Sequence, residues 1–336
     1  MRRIGLAVVL ALSLALVPVK GEAQQSGKVY RIGILFQGSP SRSSEPTPVL
    51  DAFRHRLREL GWIEGQNLAI ESRWAEGNFA RLADLAADLV ERKVDVIIAN
   101  GPAAMAAKRA TSLIPIVFTF SGDAVGQGLV ASLARPGGNV TGTSSMDVEL
   151  TGKRLELLKA AMPSLARVAV LRCPVVDGPP NLLDGPQWRE TQAAVPTLGL
   201  QLQSVEVRKA DDIEAAFAAA LQARTQAFVT LGCRIFENNP GRQRVIDFAS
   251  QRRLPGMSAY RAFVVAGGLM SYGASELDSW LRTAGLVDKI LKGAKPADLP
   301  VEQSPKFDFV INLKTAKAIG LTIPQSLLLQ ATGVIE

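Results

Sequence analysis

Residues 94–110 read VDVIIANGPAAMAAKRA, and they contain the local unit that decides the fold of this chain. The first six residues, 94–99, form a short and mostly apolar run, which is typical of a strand buried on both faces of a sheet. Asn100-Gly101-Pro102 follows as a turn, and the Ala-rich segment up to Ala110 predicts a helix with proline in its first turn. A buried strand that leads through a short turn into a helix indicates a βαβ architecture.

The same alternation of strand and helix extends from this unit in both directions. Towards the N-terminus, strands are predicted at 30–36 and 67–74, each followed by a segment with apolar residues at helical spacing. Towards the C-terminus, a strand at 114–118 precedes a predicted helix at 126–134, and a Pro-Gly break follows at 135–139. The second series has helices at 151–161, 187–198, 211–223, 241–253 and 276–292, strands at 168–171, 200–207, 226–231 and 255–258, an extended stretch at 299–311 and a helix that Asn312 caps. Two such series predict an α/β fold of two similar lobes with parallel sheets.

The first 23 residues have the pattern of a secretory signal peptide. Met1-Arg2-Arg3 supplies the positive start, residues 4–19 carry no charge, and Gly21 and Ala23 suit the −3 and −1 positions of a cleavage site. The apolar run is shorter than the ~20 residues that a membrane-spanning helix needs. We therefore expect cleavage after Ala23 and export to the periplasm. A buried or membrane-anchoring N-terminal helix is the alternative.

Few side chains are suited to catalysis or metal binding. The chain has one histidine, His55, and two cysteines, Cys173 and Cys233. That is too few ligands for a zinc site built from several His and Cys, and it leaves a single candidate base for a His-based triad. His55 falls on the polar face of its predicted helix, so we expect it to be solvated. We predict no catalytic residue, no metal and no cofactor; whether the two cysteines form a disulfide stays open.

The formal net charge of +7 raises the question of nucleic-acid binding. The basic residues are scattered and mostly alternate with acids on predicted helix surfaces, which is typical of a solvated surface. Residues 126–131, GQGLVA, match the GxGxxG/A pattern. However, they neither follow a strand directly nor open the first βαβ unit, so dinucleotide binding is disfavoured. We expect no nucleic-acid partner.

The loops that follow the predicted strands are the candidate ligand-binding segments. In open α/β sheets, ligands bind at the carboxyl ends of the strands, near helix N-termini that offer free N–H donors. Small, polar and Gly-containing loops at these ends suit a small polar ligand, although each of them could equally be ordinary turn chemistry. The candidate residues in these loops are Gln37, Gly38, Ser39, Asn100, Gly101, Pro102, Ser121, Gly122, Asp123, Cys233, Arg234, Tyr260 and Arg261.

Long stretches of the chain from Tyr30 onwards resemble the tryptophan-binding-protein-like family of ABC-transporter substrate-binding proteins. The matching stretches are LGWIEGQN at 60–67, IPIVF at 114–118, GLVASLARPGGNVTG at 128–142, GGLMSYG at 267–273, ILKGAKPADLPVE at 290–302, and 307–324. The resemblance implies a type I periplasmic-binding fold of two Rossmann-like lobes, in which three crossovers form a hinge and the lobes close over a ligand. By that analogy one lobe comprises 28–142 plus 272–303 and the other 143–271 plus 304–336. Ser144, Ser145 and Tyr272, close to these boundaries, complete the predicted ligand-binding set.

The family resemblance also implies a function. It predicts a monomeric, non-enzymatic protein that captures a small organic solute in the periplasm and delivers it to an ABC permease in the inner membrane. A binding protein that reports its ligand to a membrane receptor, without transport, is the alternative.

The resemblance also leads to a prediction about the ligand, which is based on positions where this sequence differs from the family. Helix-N-terminal amides and hydroxyls at Asn100-Gly101-Pro102 and Ser121-Gly122 would hold a carboxylate. Relatives commonly carry Asp in the loop where this chain has Gly232-Cys233-Arg234, and Glu where it has Ala262. Two acids are therefore missing and Arg234 is added, which favours an aromatic or aliphatic carboxylate without an amine. Asp123 remains as a candidate partner for an amine.

Overall fold

A computed structural model describes residues 28–38, 48–175 and 181–336. The predicted signal peptide, residues 1–23, and Ser39 lie outside the described residues. The first part of the chain forms β1 Tyr30–Phe36, α1 Pro48–Glu59, β2 Leu68–Trp74, α2 Leu82–Glu91, β3 Val96–Ala99, α3 Gly101–Ala110, β4 Ile116–Ser121 and β5 Val140–Ser144. None of the helices in the described residues is long and apolar enough to span a membrane.

The second part of the chain repeats the alternation. It forms α4 Thr151–Ala161, β6 Arg167–Arg172, α5 Asp184–Ala193, α6 Val195–Leu198, β7 Gln201–Glu206, α7 Ile213–Gln222, β8 Ala227–Thr230, α8 Arg234–Glu237, α9 Gly241–Gln251, β9 Gly256–Ser258, α10 Arg261–Val265 and β10 Met270–Ala274. The last part forms α11 Glu276–Leu291, β11 Glu302–Gln303, β12 Phe307–Asn312, α12 Leu313–Ile319, α13 Gln325–Leu328 and β13 Gly333–Ile335.

These strands form two separate sheets. The first has the order β11-β5-β4-β3-β1-β2, with every pairing parallel. The second has the order β13-β12-β10-β9-β8-β6-β7. Each sheet has a hydrophobic cluster on either face, so four clusters of buried side chains cover the two sheets. The predicted fold class, two α/β lobes of largely parallel strands, is confirmed.

The chain passes between the sheets three times. It leaves the first sheet after β5, returns after β10, and leaves again between β11 and β12. On its return, α11 packs against the first sheet through Trp280, Ala284 and Val287. Three crossovers between two lobes define the type I periplasmic-binding fold that the resemblance implied. By strand pairing, Ser144 belongs to the first sheet and Ala274 to the second. The sheets therefore change two to three residues beyond the proposed lobe boundaries at 142 and 271.

Two local predictions were wrong. The predicted helix at 126–134 is a series of turns, because the Asp123 carboxylate accepts the N–H of Gly126 at 2.7 Å and Gly128 has a φ of +72°. The second sheet is mixed rather than parallel, since β12 runs antiparallel to β10. The pairing of Ala274 with Phe307 gives the reason: β10 ends at the crossovers and β12 begins there, so β12 must run back along it.

Candidate ligand-binding cleft

Loops from the two lobes meet at the carboxyl ends of their strands. The Phe120 ring at the end of β4 lies 6.2 Å from the Tyr260 ring, which follows β9 in the other lobe. The Arg234 guanidinium at the start of α8 lies 3.6 Å from the centre of the Phe79 ring, which follows β2. A cation over an aromatic face at this distance is attractive. Aromatic side chains therefore join the lobes at two points of the cleft.

A buried arginine links the first crossover between the lobes to the second through an ion pair and hydrogen bonds. Arg154 lies on the apolar face of α4 with 1% of its surface exposed. Its Nη2 forms an ion pair with Asp147 Oδ1, and its Nη1 donates to the Asp147 carbonyl at 3.2 Å. Its Nε donates to the carbonyl of Tyr272 at 2.8 Å. All three guanidinium nitrogens thus have acceptors, as a buried cation requires.

The second oxygen of Asp147 belongs to a polar cluster in the cleft. Gln187 Nε2 donates to Asp147 Oδ2 at 2.7 Å, and Gln187 Oε1 accepts the N–H of Gly232 at 2.8 Å. The hydroxyl of Tyr260 lies 3.5 Å from the same Asp147 oxygen. Asp147 therefore connects the hinge, through Arg154, with the loops after β8 and β9.

A second carboxyl group lies in this cluster. Glu237, the last residue of α8, is hydrogen-bonded to the Tyr260 hydroxyl and to the backbone N–H of Cys233. The pKa of Glu237 is raised to about 7, chiefly by burial and then by the negative charge of Asp147, while these hydrogen bonds oppose the rise. The pKa of Tyr260 is raised well above its ordinary value, again first by burial and then by the charges of Asp147 and Glu237. At neutral pH the cluster therefore holds a carboxyl group that is only partly ionised.

A disulfide between Cys173 and Cys233 fixes one wall of the cleft. It joins the end of β6 to the loop after β8, so it restrains the residue immediately before Arg234. Cys233 is 4% exposed, and its backbone N–H serves Glu237. The alternative of two free thiols does not apply, and Cys233 offers no thiol to a ligand.

The predicted residues of the first two loops lie together. Gln37 Nε2 donates to the backbone oxygen of Asn100 at 3.0 Å and to its Oδ1 at 3.1 Å. Gly101 has a φ of +48°, which favours glycine at the start of α3, and a Cβ there would lie 2.6 Å from Gln37 Nε2. Pro102 is exposed in the first turn of α3. The Gly38 carbonyl accepts the N–H of Glu76.

The loop after β4 lies against the second lobe. Ser121 is buried, and its hydroxyl donates to Gln127 at 3.4 Å. A Cβ on Gly122 would lie 3.0 Å from the methyl groups of Leu183, so any larger residue here would require Leu183 to move. The Asp123 carboxylate is occupied by its own turn, where it accepts the N–H of Gly126.

The remaining predicted residues contribute mainly structure. Ser144 and Ser145 are buried at the first crossover, where the Ser144 hydroxyl accepts the N–H of Met146 at 3.3 Å. The ring of Tyr272 stacks on Phe307, and its carbonyl accepts the hydrogen bond from Arg154. Arg261 is exposed, and its guanidinium lies beside Gly333 of β13 rather than in the cluster.

The prediction from sequence missed the central members of the cluster: Phe79, Phe120, Asp147, Arg154, Gln187 and Glu237. One of them carried a signal, because Arg154 interrupts the apolar face of a predicted helix, where an arginine needs a buried partner. Glu237 carried none, since α8 is only four residues long and follows the loop whose acid is missing.

Two α/β lobes that meet over a polar cleft place this chain in the type I periplasmic-binding fold class. The chain belongs to the family of ABC transporter substrate binding proteins, whose family model matches residues 47–335. A curated tyrosine-binding protein of Clostridioides difficile (strain R20291) is 26% identical over 272 residues, which is 80% of this chain and 75% of that protein.

Two solved structures extend the comparison. The ABC domain from Streptococcus pneumonia in complex with L-Trp is 27% identical, with a TM-score of 0.79 over 92% of this chain and 100% of that chain. The ligand-free, open structure of a Clostridium difficile substrate-binding protein with adhesive properties is 25% identical, with a TM-score of 0.68 over 92% of this chain and 99% of that chain. The resemblance seen in the sequence is thus confirmed.

Proposed function

We propose that this chain is an extracytoplasmic solute-binding protein that closes over a small carboxylate-bearing solute, an amino acid, and delivers it to an ABC importer without chemical change. The observation that carries the proposal is the meeting of the two lobes over the Asp147 and Glu237 carboxyl groups, in a chain of this family. These carboxyl groups make this part of the cleft polar, which favours a polar solute over a purely apolar one.

The arrangement of the lobes supports capture by hinge closure. The TM-score is higher against the L-Trp complex than against the ligand-free, open relative, 0.79 compared with 0.68, at similar sequence identity. Phe79 contacts Arg234 and Phe120 contacts Tyr260 across the cleft, so the lobes lie close together at these two points. We expect a solute to be buried when the lobes close in this way.

The carboxylate of the solute would lie at the first lobe. The N-terminus of α3 begins at Gly101 next to Gln37 and Asn100, and the N–H groups of a first helical turn attract anions. Arg234 on the opposite lobe adds positive charge over Phe79. We expect both features to attract the carboxylate, one from each side of the cleft.

The first experiment is a thermal-shift screen of the mature protein against amino acids and organic acids, followed by calorimetry on every hit. A ligand at 100 times its Kd adds about 2.7 kcal/mol to the free energy of unfolding, which shifts Tm measurably. Small-angle scattering with and without the hit then tests closure.

Delivery to an importer needs its own test. Cells that lack this protein should take up the labelled hit more slowly, and the full-length chain should restore uptake. Binding without any change in uptake would contradict the transport role, and a panel without hits would contradict the choice of solute.

A further inference from the structure

The second and third crossovers between the lobes are joined at the start of α11. Only Ser275 separates β10 from α11, and residues 304–306 separate β11 from β12. The N–H of Ser275 donates to the backbone oxygen of Lys306 at 2.9 Å. The Ser275 hydroxyl accepts the N–H of Asp278 at 3.5 Å and so caps α11. The two crossovers therefore lie side by side against the first turn of this helix.

The side chain of Asp278 adds further links between these crossovers. Its carboxylate accepts the hydroxyl of the buried Ser304 at 2.9 Å and forms an ion pair with Lys306 at 3.2 Å. Arg282, one turn further along α11, donates to the same carboxylate at 2.7 Å and to Glu302 of β11 at 3.2 Å. Asp278 is thus oriented by its own helix and holds the third crossover.

Asp278 is ionised in this position at neutral pH. Its side chain is 9% exposed, and burial alone would raise its pKa. The hydrogen bonds from Arg282, Ser304 and Lys306 outweigh burial and hold the pKa of Asp278 below its ordinary value. Removing the charge therefore removes attractions to both crossovers and not only a local helix contact.

The two sides of this cluster belong to different lobes. Because α11 packs on the first sheet, Asp278 is fixed to the first lobe. Lys306 directly precedes Phe307, the first residue of β12 in the second sheet. In this structure the lobes lie close together across the cleft, where Phe79 contacts Arg234. The ion pair of Asp278 therefore spans the lobes outside the cleft while they are in that arrangement.

We propose that Asp278 is a positioning residue for solute capture: through Lys306 and Ser304 it stabilises the lobes in their close arrangement without contacting the solute. Rotation of the second lobe about the crossovers would carry Lys306 with β12 while Asp278 stays on α11. The ion pair is therefore lost as the cleft opens, and its energy favours the closed state. The effect on capture rests on the proposed function, but the equilibrium between open and closed lobes exists without a solute.

Asp278→Asn tests the inference, and Asp288→Asn is its matched control. Asparagine keeps the shape and one acceptor oxygen but removes the charge. Asp288 lies on the same helix with its side chain 13% exposed, and its partners are Lys292 at 2.7 Å and Trp62 at 2.9 Å, both in the first lobe. The control therefore loses a comparable carboxylate that touches neither crossover.

Spin labels on Glu91→Cys and Ala219→Cys report the distance between the lobes by double electron–electron resonance. These positions are exposed on α2 and α7, in opposite lobes, and both native cysteines form the disulfide. Ligand-free Asp278→Asn should show a larger share of long distances than the wild type, and Asp288→Asn should match the wild type. Lys306→Gln, which changes an exposed side chain, should give the same shift, and combining it with Asp278→Asn should add little.

Stopped-flow measurements with L-tyrosine and L-tryptophan test the effect on capture. Asp278→Asn should release a bound amino acid about 2- to 5-fold faster than the wild type, the effect expected for one ion pair with a largely exposed lysine. Asp288→Asn should release it at the rate of the wild type. A merely structural role of Asp278 would lower stability in both variants and leave both release rates unchanged.

The outcomes separate this inference from the proposed function. Distances and release rates of Asp278→Asn that match those of Asp288→Asn overturn the positioning role, and a shift in distance with unchanged release overturns the part of Asp278 in capture. If neither amino acid binds to the wild type, the choice of solute in the proposed function fails, while the distances in the ligand-free proteins still decide whether Asp278 controls the hinge. Longer distances in Asp278→Asn and Lys306→Gln but not in Asp288→Asn, with faster release, support the inference.

Discussion

The ligand-free protein should lose stability between about pH 4.5 and pH 7 through Glu237, and Glu237→Gln should abolish that loss. The pKa of this carboxyl is raised from 4.5 to about 7 in the folded protein. Between these values the unfolded chain has released the proton while the folded protein still binds it. The stabilisation by proton binding is therefore complete below pH 4.5 and is lost as the pH rises through 7.

The magnitude follows from the pKa. At about 1.4 kcal/mol per pH unit, the rise from 4.5 to about 7 corresponds to about 3 kcal/mol. Glu237 is only partly buried, so solvent screens part of this and we expect about 1–3 kcal/mol. Gln is uncharged at every pH and keeps an acceptor for the Cys233 N–H. The variant should therefore gain stability relative to the wild type over this interval.

Urea unfolding of both proteins at half-unit steps from pH 4 to pH 8.5 measures the effect. Subtracting the wild-type curve from the variant curve removes the contributions of all other groups that the two proteins share. We expect the difference to be flat below pH 4.5, to rise through the interval, and to be flat again above pH 7.5. Parallel curves, or a difference that falls with pH, would refute the reasoning that Glu237 is protonated in the cleft.

Three further changes test the hinge and the cleft walls. Arg154→Met should cost about 3–5 kcal/mol in urea unfolding because it leaves Asp147 buried without a cation, and adding Asp147→Asn should return part of that loss. Replacing Cys173 and Cys233 together by serine should lower the free energy of unfolding by about 2–4 kcal/mol, because the unfolded chain between them is no longer restrained. An unchanged urea midpoint would show that the disulfide does not restrain the unfolded chain. Phe79→Ala should weaken solute binding about 2- to 10-fold, because it removes the aromatic face of a contact between the lobes. The variant should also release the solute faster in stopped-flow measurements. Equal release rates for the variant and the wild type would exclude a role of Phe79 in closure.

Elements with a clear local pattern were predicted closely. The apolar run at 30–36 is β1, and the helix predicted at 151–161 is α4, both with the expected bounds. In each of these elements the buried residues recur with the period of the strand or helix, so the local sequence is enough to predict the element. The helix predicted at 126–134 failed because a single side chain, Asp123, gives the backbone of that segment a different hydrogen bond.

The cleft was predicted less completely, because its chemistry joins residues far apart in the chain. Asp147 and Tyr260 are 113 positions apart, and Arg154 and the Tyr272 carbonyl are 118 apart. The carboxyl ends of strands show where a cleft forms, which is why Asn100, Ser121 and Arg234 were predicted as ligand contacts. They do not show which side chains from other elements turn towards it.

Arg154 shows what kind of prediction such a site does allow. A guanidinium on the apolar face of a helix cannot be buried alone, so a carboxylate or several carbonyl partners must exist nearby. Once Asp147 has taken that charge, any second acid in the same low-dielectric space must hold a proton or receive a cation from outside. Glu237 is that second acid. Burial, and after it the negative charge of Asp147, therefore raises the pKa of Glu237 and keeps this second acid partly protonated at neutral pH.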